Sequence, residues 1–103
     1  MEAAFRLPVI NLYGPTEATI QCSFDEVHAR DASSSEIAPL GRPIDGATLT
    51  VRDPALRVVP VGAPGELCVA GPSLALGYWK DPSLTAERFP ADPAAPDRRL
   101  LRT

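Results

Sequence analysis

Twelve prolines and seven glycines, spread along 103 residues, constrain this chain more than any other feature of its sequence. Proline fixes its own φ angle and lacks a backbone N–H group, whereas glycine adopts backbone angles that other residues avoid. Both residue types therefore mark turns. Because the prolines are scattered and form no polyproline tract, they predict frequent turns between short segments.

The length of the chain is enough for one small domain. Ten lysines and arginines stand against thirteen acidic residues, and the charges are interspersed. This pattern argues against nucleic acid and against an anionic membrane as partners. No apolar segment approaches the length of a membrane span, and the N-terminus lacks a signal-peptide pattern, so we expect a cytoplasmic protein.

The cysteines and the histidine argue against a zinc or redox site. Cys22 and Cys68 lie far apart in sequence, neither belongs to a CxxC pair, and His28 is the only histidine. The common zinc and redox spacings are therefore absent. We expect both cysteines to be buried and unpaired.

The richest chemistry lies in residues 11–17, with the sequence NLYGPTE. A short apolar run over residues 7–12 predicts a buried strand, and a Gly-Pro bend follows it. Ligands of open α/β sheets bind at the ends of strands. An aromatic ring, a hydroxyl and a carboxylate suit a nucleotide triphosphate, because magnesium takes one or two protein carboxylates together with phosphate oxygens. The residues alone leave a second interpretation open, which is a surface β-turn with polar side chains.

The segment that follows the bend is ambiguous. Ile20, Phe24 and Val27 have helical spacing, yet the β-branched residues among 16–27 allow a strand equally well. Residues 29–39 are predicted to form a polar loop, and residues 40–43 a further turn.

The second half of the chain predicts a β-meander and one helix. Alternation over residues 48–52 predicts a strand with Arg52 on its solvated face, and a second strand is predicted over residues 66–70. Asp81 and a proline predict the start of a helix that Pro90 ends. Residues 91–99 are predicted to form a linker or loop, and residues 100–103 the start of a strand.

Three blocks, in this order, resemble the adenylation domain of nonribosomal peptide synthetases, within the adenylate-forming enzyme superfamily. Residues 11–17 resemble the NxYGPTE motif of that family. Residues 65–78 resemble its GELxIxGxxxARGY block, followed by a match to LTAERF, and residues 99–103 resemble the opening of its Y(R/K)TGDL block. The chain departs from the family at Leu76, where arginine is usual, and at Leu101, where tyrosine is usual.

The resemblance implies a fold between the α/β and α+β classes. In it, one core strand with the nucleotide motif is followed by part of a β-rich distorted-barrel subdomain and a short helix. Residues 1–39 are expected to end the core α/β subdomain, and residues 40–103 to form a truncated part of the barrel. The sequence lacks the family's phosphate-binding loop, its ribose-binding aspartate and its catalytic lysine. We therefore expect a fragment that is inactive and poorly stable alone, with a motif strand that lacks sheet neighbours.

The resemblance also implies roles for the motif residues. Asn11 is expected to hydrogen-bond the adenine edge and Tyr13 to stack on adenine, with Gly14 in the same cofactor-binding set. Thr16 is expected to contact a phosphate. Glu17 is expected to ligate magnesium, and these last two are the candidate catalytic residues.

Leu12, Ile20 and Gln21 fall at positions that line the substrate side-chain pocket in this family. Two apolar residues and one neutral amide predict a substrate side chain that is uncharged and partly apolar. The implied reaction forms an aminoacyl-AMP from ATP and an amino acid. The aminoacyl group then passes to a phosphopantetheine thiol on a peptidyl carrier domain.

Two alternatives stay open at this point. One is a member of the same superfamily that activates an acyl acid for coenzyme A, although Asn11 and Pro15 favour the amino-acid-activating group. The other is a small β-rich binding or interaction module whose turn matches the motif by chance.

Overall fold

The computed structural model describes residues 7–28 and 37–103. Within these residues the chain forms eight short strands, one 3-10 helix and one α-helix. The elements are β1 Val9–Tyr13, the 3-10 helix Thr16–Ala18, β2 Ser23–Val27, β3 Arg42–Pro43, β4 Thr48–Arg52, β5 Glu66–Ala70, α1 Pro82–Arg88, β6 Ala91–Asp92, β7 Ala95–Arg99 and β8 Leu101–Arg102. No helix in this described part of the chain is both long enough and apolar enough to cross a membrane.

The motif strand β1 is paired, so the expectation that it lacks sheet neighbours is wrong. It runs antiparallel to β2 over five residue pairs, from Val9 opposite Val27 to Tyr13 opposite Ser23. The chain bends back on itself after Tyr13 and supplies this neighbour locally. The sequence left open whether residues 16–27 form a helix or a strand. The structure shows a short 3-10 helix followed by a strand.

The expectation that residues 7–12 form a buried strand is also wrong. Burial alternates along β1, with Ile10 49% and Leu12 54% exposed. Successive side chains of a strand point to opposite faces, and only one face of β1 packs against other described residues. Within the described residues, the strand therefore leaves the apolar side chains of Ile10 and Leu12 exposed on its other face.

The first sheet also includes β3, which pairs with β2 through Ser23 and Pro43. Most of the predicted loop over residues 29–39 lies outside the described residues, as does any structure at residues 1–6. Because β3 follows residue 39 and pairs with a strand that precedes it, the sheet spans the predicted boundary between residues 1–39 and 40–103. That division stays a prediction.

The predicted antiparallel meander is confirmed in the second sheet. β4 pairs with β5 from Thr48 opposite Ala70 to Arg52 opposite Glu66. β8 adds to the other side of β5, with Val69 opposite Leu101, so the strand start predicted at residues 100–103 is also confirmed.

Two predictions about this half of the chain are wrong, and they have one cause. Residues 91–99 form the hairpin β6–β7 rather than a loop, and Arg52 is buried rather than solvated. The Asp92 carboxylate explains both, because it binds the Arg52 guanidinium and accepts the N–H of Ala94 inside the hairpin turn. Pro96 is tolerated in β7 because that strand has a single sheet neighbour among the described residues.

Helix α1 begins and ends as predicted. The Asp81 side chain accepts the N–H of Leu84 at 2.9 Å, and Pro82 occupies the first helical position. At the other end, the Phe89 N–H donates to Thr85 O. The helix thereby delivers the Phe89 ring to the core.

The core joins elements that are far apart in sequence. Its buried members come from the motif bend, from the second sheet and from the end of α1: Ala18, Cys22, Val69, Phe89 and Leu101. Both cysteines are buried and unpaired, as predicted. The motif bend is therefore packed directly against the second sheet.

Candidate functional site

The bend between β1 and β2 requires glycine at position 14. A Cβ atom there would lie 2.3 Å from Gln21 Cα and 2.6 Å from the Ile20 carbonyl oxygen, so the returning chain leaves no room for a side chain. The Cys22 N–H closes the bend by donating to the Tyr13 carbonyl at 2.7 Å. Pro15 is extended, with φ −82°, and leads into the 3-10 helix.

The return of the chain is strained. Thr19 and Ile20 have positive φ angles of 57° and 76°, which residues with a side chain rarely adopt, least of all β-branched ones. The Thr19 hydroxyl donates to the Ser73 carbonyl at 2.7 Å and helps to hold this conformation. Strained backbone of this kind is concentrated at functional sites.

The Glu17 carboxylate is held by a partner from the second half of the chain. The Tyr78 hydroxyl donates to Glu17 Oε1 at 2.6 Å, and the Ala75 N–H donates to the Glu17 backbone carbonyl at 2.8 Å. The hydrogen bond from Tyr78 lowers the pKa of Glu17, with the backbone and the nearby Arg88 charge acting in the same direction. The same bond raises the pKa of Tyr78. Glu17 is therefore kept ionised.

Asn11 and Tyr13 lie on one face of β1, two residues apart. Tyr13 is half-buried and packs at the edge of the core. The Asn11 amide donates to the Pro39 carbonyl at 2.8 Å, which leaves a second N–H and its carbonyl available. The bend at residues 14–15 follows β1 directly, and Thr16 and Glu17 stand in the 3-10 helix beyond it.

The predicted substrate-pocket residues lie on β1 and on the segment between the 3-10 helix and β2. Leu12 projects from the opposite face of β1 to Tyr13, because side chains alternate along a strand. Ile20 is 77% exposed, and Gln21 is exposed as well. The predicted nucleotide residues adjoin one another along the chain, whereas Leu12, Ile20 and Gln21 have exposed side chains, and the roles of both sets stay predictions.

A magnesium site built wholly from protein ligands is absent from the described residues, since they contain no cluster of three or more acidic, histidine or cysteine side chains. Magnesium does not need one when phosphates and water supply its other ligands. A carboxylate has about four lone-pair positions. Glu17 can therefore accept the Tyr78 bond and still bind a cation, so this side chain fits the ion.

Sequence reasoning missed Tyr78 as a site residue. The block that contains it resembles the family, but the sequence assigned no role to its ring or its hydroxyl. One signal was present, because a tyrosine in an apolar run needs a hydrogen-bond partner when it packs inward. The sequence did not show that the partner would be Glu17, which is 61 residues away.

Comparisons of the sequence with known proteins point to one family. The family model of AMP-binding enzymes matches residues 1–79. The chain is 40% identical to tyrocidine synthase 2 of Brevibacillus parabrevis over 98 residues, which are 95% of this chain and 3% of that protein. It is 44% identical to the vanchrobactin synthetase VabF of Vibrio anguillarum over 98 residues, which are 93% of this chain and 4% of that protein.

Two solved structures share the fold. One is a four-domain nonribosomal peptide synthetase bound to AMP and glycine, with a TM-score of 0.81 and 37% identity, covering 93% of this chain and 7% of that one. The other is the nonribosomal peptide synthetase FmoA3, with a TM-score of 0.85 and 37% identity, covering 94% of this chain and 10% of that one. The predicted fold class is confirmed.

The chain spans a small part of each relative, and 10% is the largest of these four shares. The resemblance to nonribosomal peptide synthetases that the three sequence blocks indicated is nevertheless confirmed by both kinds of comparison. Because the family model covers well over half of its 103 residues, the chain belongs to the AMP-binding enzyme family.

Proposed function

We propose that this chain is part of an adenylation domain that activates an amino acid for nonribosomal peptide synthesis. The domain forms an aminoacyl-AMP from ATP and the amino acid, and passes the aminoacyl group to a phosphopantetheine thiol on a carrier domain. The observation that supports this most directly is the bend at residues 14–17. Within a few residues it joins the strand that bears Asn11 and Tyr13 to the 3-10 helix that carries Thr16 and Glu17.

The adenine base of the nucleotide is assigned to the face of β1 that bears Asn11 and Tyr13. The Tyr13 ring offers a flat apolar surface that the core fixes from one side. Asn11 keeps one N–H and its carbonyl for the polar edge of adenine, because Pro39 occupies only one of its donors. Gly14 lets the chain turn sharply beside this face, so that the phosphate groups reach the bend.

The phosphates are assigned to Thr16 and Glu17. The Thr16 side chain is exposed and can donate its hydroxyl to a phosphate oxygen. Glu17 is ionised and would hold magnesium, which neutralises charge on the ATP phosphates when it is bound. The substrate carboxylate attacks the α-phosphorus and pyrophosphate departs, so the contribution of these residues is positioning and charge stabilisation.

The amino acid is assigned to the surface formed by Leu12, Ile20 and Gln21, with an uncharged and partly apolar side chain. Gln21 would pair with one polar group of that side chain and so favour substrates that carry one. Residues 1–39 are assigned to the core subdomain and residues 40–103 to the barrel. The partners are the amino acid and the carrier domain.

The test is exchange of labelled pyrophosphate into ATP by an adenylation domain that contains this chain. We expect exchange that depends on an amino acid with an uncharged side chain. Glu17→Gln keeps the size of the side chain and loses its charge, so exchange should fall about a hundredfold or more, with a raised magnesium requirement. Tyr13→Ala should raise the KM for ATP and leave the magnesium requirement unchanged.

Glu26→Gln is the matched control, because Glu26 is an exposed glutamate on β2, away from the bend. It should leave exchange within about twofold of the parent, as surface substitutions usually do. Near-native exchange by Glu17→Gln at limiting magnesium would refute the metal role. Activation of an acyl acid for coenzyme A, with no response to amino acids, would refute the proposed reaction.

A further inference from the structure

Three hydrogen bonds join the bend at residues 16–19 to the distant segment 73–78. Two of them hold backbone positions: Thr19 donates to the Ser73 carbonyl at 2.7 Å, and the Ala75 N–H donates to the Glu17 carbonyl at 2.8 Å. The third, from the Tyr78 hydroxyl, reaches the Glu17 carboxylate itself. The side chain of Glu17 is therefore oriented by a residue of the second half of the chain.

Tyr78 is itself fixed on three sides. Its N–H donates to Thr85 Oγ1 at 2.8 Å, and its ring packs on Phe89 with centroids 5.7 Å apart. The residue before it is Gly77, where a Cβ would lie only 2.4 Å from the Thr85 methyl group. The hydroxyl thus sits on a frame built by helix α1, and such a frame can orient a functional group with little motion.

The chemistry of this donor suits a carboxylate that must keep its charge. A 2.6 Å bond from a hydroxyl to a carboxylate is short and charge-assisted. A lysine or arginine in the same place would also orient Glu17, but it would cancel the charge that attracts a cation. A neutral phenol orients the carboxylate without adding a positive charge of its own to that of the nearby Arg88. Without it, a glutamate side chain samples several rotamers.

We propose that Tyr78 is a positioning residue, whose hydroxyl fixes the Glu17 carboxylate in the orientation from which it meets the metal–nucleotide complex. The inference rests on the proposed function, because it takes Glu17 as the metal ligand. Tyr78 acts through Glu17, so its effect appears only where the metal is involved. Because Tyr78 belongs to segment 73–78, the orientation of Glu17 also depends on the packing of that segment against the motif bend.

The test measures binding as well as turnover in an adenylation domain that contains this chain. Calorimetry compares the affinity for magnesium–ATP with the affinity for AMP without metal, in the parent and in Tyr78→Phe. We expect Tyr78→Phe to weaken magnesium–ATP about tenfold, as for loss of a hydrogen bond to a charged group, and to leave AMP unchanged. In pyrophosphate exchange, kcat should fall while the KM for the amino acid is unchanged.

Thr19→Val is the matched control, since it removes a neighbouring bond between the same two segments and leaves the carboxylate partner in place. Its ratio of magnesium–ATP to AMP affinity should equal that of the parent. The double variant Glu17→Gln with Tyr78→Phe should bind magnesium–ATP no more weakly than Glu17→Gln alone, because Tyr78 acts through Glu17.

Four results would overturn the inference, three of them in Tyr78→Phe and the fourth in the control Thr19→Val. Tyr78→Phe could keep the parent's magnesium–ATP affinity, it could weaken AMP equally, or its effect could add in full to that of Glu17→Gln. The second result would indicate a purely structural role, and so would an equal change in Thr19→Val. Failure of the proposed function is seen separately, as an absence of amino-acid-dependent exchange in the parent domain.

Discussion

Replacing Asp92 by alanine should destabilise this chain more than any change at its exposed ion pairs. Asp92 and Arg52 are 5% and 6% exposed, and two hydrogen bonds of 2.9 and 3.2 Å join them. Asp92→Ala would leave the Arg52 guanidinium buried without its counter-charge. It would also free the Ala94 N–H that the carboxylate now accepts.

The size of the effect follows from burial. Removing one partner of a buried ion pair costs about 3–5 kcal/mol. Arg52 keeps its bonds to Thr50 and to the Leu56 carbonyl, which favours the lower end of that range. Small domains have about 5–15 kcal/mol of total stability, so the loss is a large part of it.

Urea unfolding at pH 7, carried out on an adenylation domain that contains this chain, measures this loss. The control is Arg57→Met, which breaks the pair between Arg57 and Asp53, where the arginine side chain is 78% exposed. Exposed pairs contribute about 0–1 kcal/mol, so the control should unfold close to the parent. The double change Arg52→Met with Asp92→Leu should recover most of the loss, because no charge is then left unpaired. A loss from Asp92→Ala as small as that of the control would refute the argument.

Three further predictions follow from single contacts. The pKa of Asp92 is lowered by Arg52, so the pair stabilises the fold in full above the ordinary aspartate pKa near 4 and loses its effect as the pH falls through the lower folded value. Urea midpoints between pH 6 and 2 should therefore fall more steeply in the parent than in Asp92→Ala, and parallel curves would contradict this. Gly14→Ala should lower the free energy of unfolding by about 1–3 kcal/mol and weaken nucleotide binding, because the added methyl group meets backbone atoms. Thermal unfolding measures the first effect and calorimetry the second. A midpoint equal to that of the parent would refute the steric reasoning. Asp81→Ala should cost about 1 kcal/mol and speed exchange of the Leu84 amide hydrogen, and an unchanged exchange rate would show that the cap contributes nothing.

The sequence by itself determined the features that rest on neighbouring residues. The Gly14 bend, the Asp81 cap and the alternation over Thr48–Arg52 depend on backbone angles or on hydrogen bonds within a few residues. The residues of the proposed nucleotide site, with Glu17 among them, were also found locally, because they stand close together in the sequence.

Only the tertiary structure decided the features whose partners are distant. Residues 91–99 form a hairpin, and Arg52 is buried, because the carboxylate that stabilises both lies 40 residues from the arginine. Tyr78 entered the site for the same reason, since its partner Glu17 is 61 residues away. Local patterns report which face of a segment is apolar, but they do not report which segment will cover it. Tertiary packing determines that, because it places the motif bend against the second sheet and the Tyr78 hydroxyl within hydrogen-bond distance of the Glu17 carboxylate.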